Sequence, residues 1–557
     1  MNRPSDEVES PLRQPAKNGD HFWRALFAVA MFVWSSLTVG KEIVQGGADN
    51  QTPHGECMPS GTGRDYQVGS RAGQLGALEL VPWERLGAGD TVRIFFRPDP
   101  YRGKIYIAAQ GRPDAPVRVC GVKGQKGEKP VIEGRDAVTR RGMNYGHPLH
   151  ESRSIILINR LPSQDWKAFP SHVQIDGLAI RGAHPSNQFI DATGAQHRYS
   201  DFGACIWVER GHFVSIADNE ITNCTQAIFS KSTDDGDFAL TRDIRIVLNN
   251  MYNNGLVGSD HLHTTYIQSV GVIYEFNRYG ILRPGARGSS IKDRSVDTVI
   301  RYNRIEDGAR ALDLVEAEDY PVAAKADPRY RETYVYGNQI SKDGSKGSAV
   351  HYGGDHNGST PGANWGEPNN RKGTLYFFHN TVHLKGTGYG VMFQLSTTEE
   401  HAQIWNNIFI FDATIPSPRF RSGTEVGASW MSGGTISLGA NWISEPWTDS
   451  VPRLNWRGRL VSLACEVVKF GRCASPSQLQ MGAPLIGAEN MISGINSPIN
   501  LSTMRPLSRD IGLERHSIFR GAVVPEKYSV DWQLGMDGTP KRRAQNSGRV
   551  VLGAVDH

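Results

Sequence analysis

A short apolar run followed by Asn, any residue and a bulky apolar residue recurs along the middle of this chain. The series reads Asn219-Glu220-Ile221, Asn250-Met251-Tyr252, Asn277-Arg278-Tyr279, Asn303-Arg304-Ile305, Asn338-Gln339-Ile340, Asn380-Thr381-Val382, Asn407-Ile408-Phe409 and Asn441-Trp442-Ile443. The intervals are 31, 27, 26, 35, 42, 27 and 34 residues. A repeat of varying length, with short β-runs and no helical periodicity between them, predicts a solenoid of stacked strands with loops of unequal size on one face. An Asn ladder at the turns is expected, because stacked amides hydrogen-bond from coil to coil and Asn tolerates the left-handed backbone. The predicted fold is all-β, a parallel β-helix over residues 61–445 with its first full coil strand at 173–182. The alternative, a β-propeller, would need about four strands per 40–50 residues with signatures of their own.

At 557 residues the chain could hold several ordinary domains, but a solenoid grows along one axis and escapes the usual limit on core size. Its 61 basic and 57 acidic side chains leave a formal charge of +4, too mild to imply nucleic acid. Residues 1–24 are polar and mixed in charge, and 25–40 run 16 residues without a charge. That stretch reads as a signal-anchor or a signal peptide, with a linker at 41–60, so the remainder is exported. It would lie in the periplasm or outside the cell, tethered to the inner membrane if the segment stays uncleaved; Trp23 and Trp34 suit the two interfaces. Six cysteines fit an oxidising compartment. Cys205 and Cys224, and Cys465 and Cys473, are close in sequence, and Cys57–Cys120 would tie the chain's entry to the first coils, although six cysteines allow about fifteen connectivities. Beyond 445 the pattern thins into a C-terminal extension, 446–557, with a short helix expected near 463–470.

Gly89-Asp90-Thr91-Val92, Ala108-Ala109-Gln110-Gly111 and residues 116–121 resemble the opening of many bacterial secreted right-handed β-helix proteins. The tail, Asp531-Trp532 through Asp537-Gly538-Thr539-Pro540 to Gly553-Ala554, is similar to theirs and is expected to cap the last coil.

Chemistry must come from side chains that project from the coils. Aligning His261-Leu262-His263, Ser290-Ile291-Lys292, Leu312-Asp313-Leu314, Val350-His351-Tyr352 and Phe393-Gln394-Leu395 on their apolar neighbours gives an outward column of His263, Lys292, Asp313, His351 and Gln394. Coils lie ~4.8 Å apart, so these groups share about 20 Å of one wall. Tyr266, Arg283, Arg287, Asp293, Arg294, Arg310, Glu316 and Tyr352 are expected around them. Such a row of ionisable groups is what an enzyme acting on an extended anionic sugar chain requires.

Residues 288–319 resemble the Lys-bearing coil of the alginate lyase and chondroitinase B family of polysaccharide lyases, which cleave uronic-acid polymers by β-elimination. Ser290-Ile291-Lys292 and Tyr302-Asn303 match that coil, and the resemblance implies that Lys292 acts as base. Where the family's next coil presents an Arg as acid, this chain has Asp313. Neighbouring cations such as Arg287 and Arg294 would lower the Lys292 pKa, His351 or Tyr352 would serve as acid, and Arg283, Arg287 or a Ca²⁺ held by Asp313 and Glu316 would neutralise the substrate. A plain structural reading makes Lys292 and Asp313 a cross-coil ion pair, and His263 and His351 satisfied wall residues. Two other functions stand beside elimination. Asp293, Asp313 and Glu316 could supply the carboxylates of a glycoside hydrolase. A non-catalytic glycan-binding protein would instead stack sugars on Trp207, Tyr352, Trp365 and Trp405.

Overall fold

The computed structural model describes residues 54–356 and 367–422, apart from positions 389, 398 and 413, together with short segments between 434 and 554. The segments at 1–24 and 25–40, most of the linker, the helix expected near 463–470, Cys465, Cys473 and Trp365 lie outside the described residues.

The chain folds as a right-handed parallel β-helix. Successive coils lay strands onto three long sheets of 13, 10 and 11 strands, each sheet ordered as the chain runs. The first sheet contains Val270–Glu275, Val296–Arg301 and Glu332–Tyr336; the second contains Arg278–Tyr279, Arg304–Ile305 and Gln339–Asp343. The third contains Thr265–Ile267, Ile291–Asp293, Leu312–Leu314, Ser348–Tyr352 and Val391–Leu395. Alternate side chains point inward and stack in register from coil to coil. On the first sheet Ile246, Tyr274, Ile300, Val335, Phe377 and Ile404 form one such column, all buried. Each buried side chain of this size contributes roughly 1.5–3 kcal/mol relative to exposure.

Between the first and second sheets the chain turns on one left-handed residue followed by the ladder Asn. Leu248, Phe276, Tyr302 and His379 take φ values of +58°, +54°, +58° and +52°, each just before Asn249, Asn277, Asn303 or Asn380. The left-handed residue is therefore the one preceding the Asn, not the Asn itself. Each interior Asn accepts through Oδ1 from the Asn of the preceding coil and donates through Nδ2 to a carbonyl there and to the next Asn, as in Asn277 to Ile246 O at 2.7 Å and to Asn303 Oδ1 at 3.0 Å. The ladder member in the Asn249-Asn250 pair is Asn249, not Asn250 as the repeat suggests. Met251 pairs with inward Ile221, which sets the register and turns Asn250 toward the outside of its strand.

A second apolar stripe lies on the outer flank at this bend. Phe378 stacks between Tyr336 and Trp405, at 4.9 and 4.5 Å. Trp532 of the C-terminal tail packs against this group. The described pieces of the tail also bond Gln339 and Thr381, in the middle of the helix. They lie along the flank, where apolar surface is available to cover, rather than across the last coil. Disulfides join Cys57 to Cys120 and Cys205 to Cys224. Among the described residues no helix is long and apolar enough to cross a membrane.

Candidate functional site

The outward face of the third sheet carries one continuous row. Trp207, Phe229, Tyr266, Lys292, Asp313, His351 and Gln394 are paired strand to strand in that order. Trp207 stacks on Phe229 at 3.9 Å, and Phe229 meets the edge of Tyr266 at 5.2 Å. An aromatic wall thus passes directly into a charged one. The connections that leave the third sheet after Leu312–Leu314 and Ser348–Tyr352 bring Glu316, Glu318, Asp319, Asp355 and His356 to the charged end. Together they border an open cavity of about 610 Å³.

Two buried cations organise the site. Lys292 donates to Asp313 at 2.9 Å and contacts Asp355. Arg294 reaches Asp355 at 3.0 Å, Glu316 at 3.2 Å and Glu318 at 3.3 Å, and donates to the Tyr266 hydroxyl at 2.8 Å. Tyr266 in turn donates to Glu318 at 2.9 Å. Beneath this layer, fully buried Arg371 pairs with Asp293 at 2.8 Å and ties down the carbonyls of Ser295 and Val315.

Burial alone would raise the Asp313 carboxyl, but Lys292, with Arg310 and His351, holds it well below the usual range. Burial also opposes ionisation of Asp355, and Lys292 and Arg294 again outweigh it, lowering its pKa. Desolvation, aided by Lys292, pushes His263 down to about 3. Its Nδ1 accepts from the Ser289 amide at 2.9 Å, so the neutral ring carries its proton on Nε2. His356 goes the other way: burial lowers it, but its bond to Glu316 and the charges of Asp355 and Glu316 raise it overall. Burial keeps the Tyr266 phenol well above its ordinary pKa, with Glu318 adding to that and Arg294 opposing it.

Lys292, Asp313, His351 and Gln394 share the row, as the sequence column predicts. His263 does not. The strand begins after it, and Tyr266 is the residue in register with Lys292, although His263 still lines the cavity. Tyr352 pairs with Leu314 and Leu395 and points into the core, because period-two alternation sets it opposite His351. It is therefore neither an acid nor a sugar platform. His351 is buried behind Asp313, bonded to it at 2.8 Å and to Ser396 at 3.0 Å; it positions that carboxylate rather than bordering the cavity. Gln394 is likewise buried and outside the lining.

Arg283 and Arg287 turn to the carbonyls of Gly255 and Gly258, away from the cavity. The polar contacts of Lys292 are therefore carboxylates, not the crowd of cations expected, and its ion pair with Asp313 is formed. Asp293 points inward to Arg371, Tyr274 and Thr298, which removes it from any pair of hydrolytic carboxylates. Trp405 lies in the flank stripe.

Asp313 and Glu316 do not fit a Ca²⁺. Asp313 is taken up by Lys292, Ser289 and His351, and Glu316 by Arg294, His356 and the amides of Asp355 and His356. Glu316, Asp355 and His356 bring ligand atoms within 4.8 Å of one another, yet Arg294 contacts both carboxylates and would oppose a cation there. Sequence reasoning missed Phe202, Phe229, Arg153 and Lys231, all of which line the cavity. Extending the column to Ile228-Phe229-Ser230 would have found Phe229.

No family model matches this chain, and no curated protein matches it. Solved structures resemble it in outline only. An alginate lyase from a Paenibacillus species is 13% identical, with 72% of this chain and 98% of that one covered and a TM-score of 0.34. A GH136 lacto-N-biosidase from Eubacterium ramulus is also 13% identical, covering 68% and 67%, with a TM-score of 0.35. Pectate lyase Pel9A is 10% identical, covering 89% and 96%, with a TM-score of 0.38.

Proposed function

We propose that this protein cleaves an extended anionic polysaccharide by β-elimination next to a uronate carboxylate. The observation that carries the reading is the row itself, in which a stacked aromatic wall runs into two buried cations converging on one carboxylate. Aromatic faces suit sugar rings, and a lysine and arginine acting together suit a carboxylate. Elimination needs that carboxylate neutralised, a base for the adjacent C–H proton, and an acid for the leaving oxygen.

Lys292 and Arg294 neutralise the carboxylate. Lys292 is not the base, because its protons are directed at Asp313 and Asp355. Tyr266 takes the substrate proton on its oxygen while passing its own to Glu318, and Arg294 stabilises the oxygen in transit. His356, whose pKa its carboxylate neighbours raise, protonates the leaving oxygen. The neutral Nε2–H of His263 donates to the developing enolate. In this reading the enzyme is exported, with the segment at 25–40 either cleaved or holding it to the inner membrane.

Elimination leaves an unsaturated uronide that absorbs in the ultraviolet. Incubating the chain from Lys41 onward with a panel of uronic-acid polysaccharides should give rising absorbance, and Lys292→Ala and Tyr266→Phe should each slow it by about 10²–10⁴-fold. A flat trace with every polymer overturns the reading. New reducing ends without absorbance would then indicate hydrolysis, and neither product would indicate a binding protein.

A further inference from the structure

Asp355 occupies an unusual position. Its two carboxylate oxygens are divided between Lys292 and Arg294, whose side chains are only 4% and 3% exposed, whereas its own is 21% exposed and faces the cavity. It does not belong to the wall that carries the two cations. It arrives on the crossover after Ser348–Tyr352, preceded by Gly353, at φ +129°, and Gly354.

The backbone of residues 353–356 is held by bonds that do not use the Asp355 side chain. The Gly353 amide bonds Leu314 O at 3.0 Å, Gly354 bonds Ser396 Oγ at 3.0 Å, and the amides of Asp355 and His356 bond Glu316 at 2.9 and 3.0 Å. Rotation about the Asp355 side chain alone can therefore withdraw its carboxylate while residues 353–356 stay in place. Withdrawal would not strand the cations, since Lys292 keeps Asp313 and Arg294 keeps Glu316 and Glu318. What would remain is a buried two-cation fork shaped around one carboxylate, open to the cavity.

We propose that Asp355 is an internal surrogate for the substrate's carboxylate, filling the Lys292–Arg294 fork until a uronate displaces it. This rests on the uronate reading above and adds a specificity device to it. A neutral sugar offers no charge to exchange for the Asp355 carboxylate, so displacing it would cost Lys292 and Arg294 one ion-pair partner each with nothing gained in return. A uronate replaces like with like. The cost is affinity, because the fork is available only for the fraction of time that Asp355 is withdrawn.

The test uses binding, not turnover. Titration calorimetry on the folded wild-type chain and on Asp355→Asn and Asp355→Ser would use glucuronate and galacturonate as probes, with glucose and galactose as neutral controls. Both variants should bind the uronates about tenfold more tightly than wild type, with neutral-sugar binding unmoved. Unchanged or weaker uronate binding in both variants would overturn the proposal, as would an equal gain for the neutral sugars. The two readings fail separately. A protein that eliminates but shows no gain in the Asp355 variants loses the surrogate alone. One that shows the gain but never produces absorbance keeps the fork and loses the elimination.

Discussion

Arg371 and Asp293 show what a fully buried charge is worth at a single residue. Both side chains are 0% exposed, and Arg371 also holds three backbone carbonyls beneath the site. Arg371→Ala should destabilise the protein by about 3–5 kcal/mol in urea unfolding, because it strands a buried carboxylate. Arg112→Ala, breaking an exposed pair with Asp114, should cost about 0–1 kcal/mol. His263 makes a pH prediction. Folding lowers it from an ordinary 6.5 to about 3, so between those values the unfolded chain binds more protons and stability rises with pH. This contribution is complete above 6.5 and is lost as pH falls toward 3, so His263→Gln should flatten the stability profile measured across that window. The outward row at Lys292, Asp313 and His351 was legible because alternation along a strand needs no partner to be read. That Tyr266 and not His263 takes the place beside Lys292 in the row was hidden because where a strand begins is set by its neighbours' hydrogen bonds, and His263-Thr264-Thr265 offers no apolar residue to mark it.

The Asn ladder is the element on which the sheet bend depends. Asn249→Ala removes two donations to carbonyls of its own and the preceding coil and leaves the Asn277 oxygen and the Asn219 amide short of partners. It should cost about 1–3 kcal/mol in urea unfolding, whereas Asn250→Ala, one position along, should cost well under that. Equal costs would contradict the register. The repeat made the ladder's existence plain, but two adjacent Asn residues are equivalent on paper. Only the pairing of Met251 with Ile221 separates them. The turn's left-handed residue was equally hidden, since Leu248, Phe276 and Tyr302 are not residue types that signal it.

The described β-helix is quasi-one-dimensional, so its first coils open independently of its middle. The Cys57–Cys120 disulfide closes 63 residues at the N-terminal end and by loop entropy is worth about 4 kcal/mol. Cys57→Ser/Cys120→Ser should therefore speed hydrogen exchange in Thr91–Phe95 and Val117–Val122 while leaving Ile291–Asp293 protected. The long ladder intervals also had a meaning at this scale. The 35 residues from Asn303 to Asn338 and the 42 from Asn338 to Asn380 contain the segments that bring Glu316, Glu318, Asp355 and His356 to the site, while the 26 from Asn277 to Asn303 make a nearly bare coil. The β-helix, the ladder and the face on which Lys292 and Asp313 stand could be read from the chain, because each is a periodic property of it. The tertiary structure alone decided that Asp355 meets Lys292 across 63 residues and Arg294 across 61, and that His356 meets Glu316 across 40. It also decided that Arg283 and Arg287 turn away. Those contacts depend on how unequal loops fold back over a regular wall, and loop paths follow from packing rather than from any period.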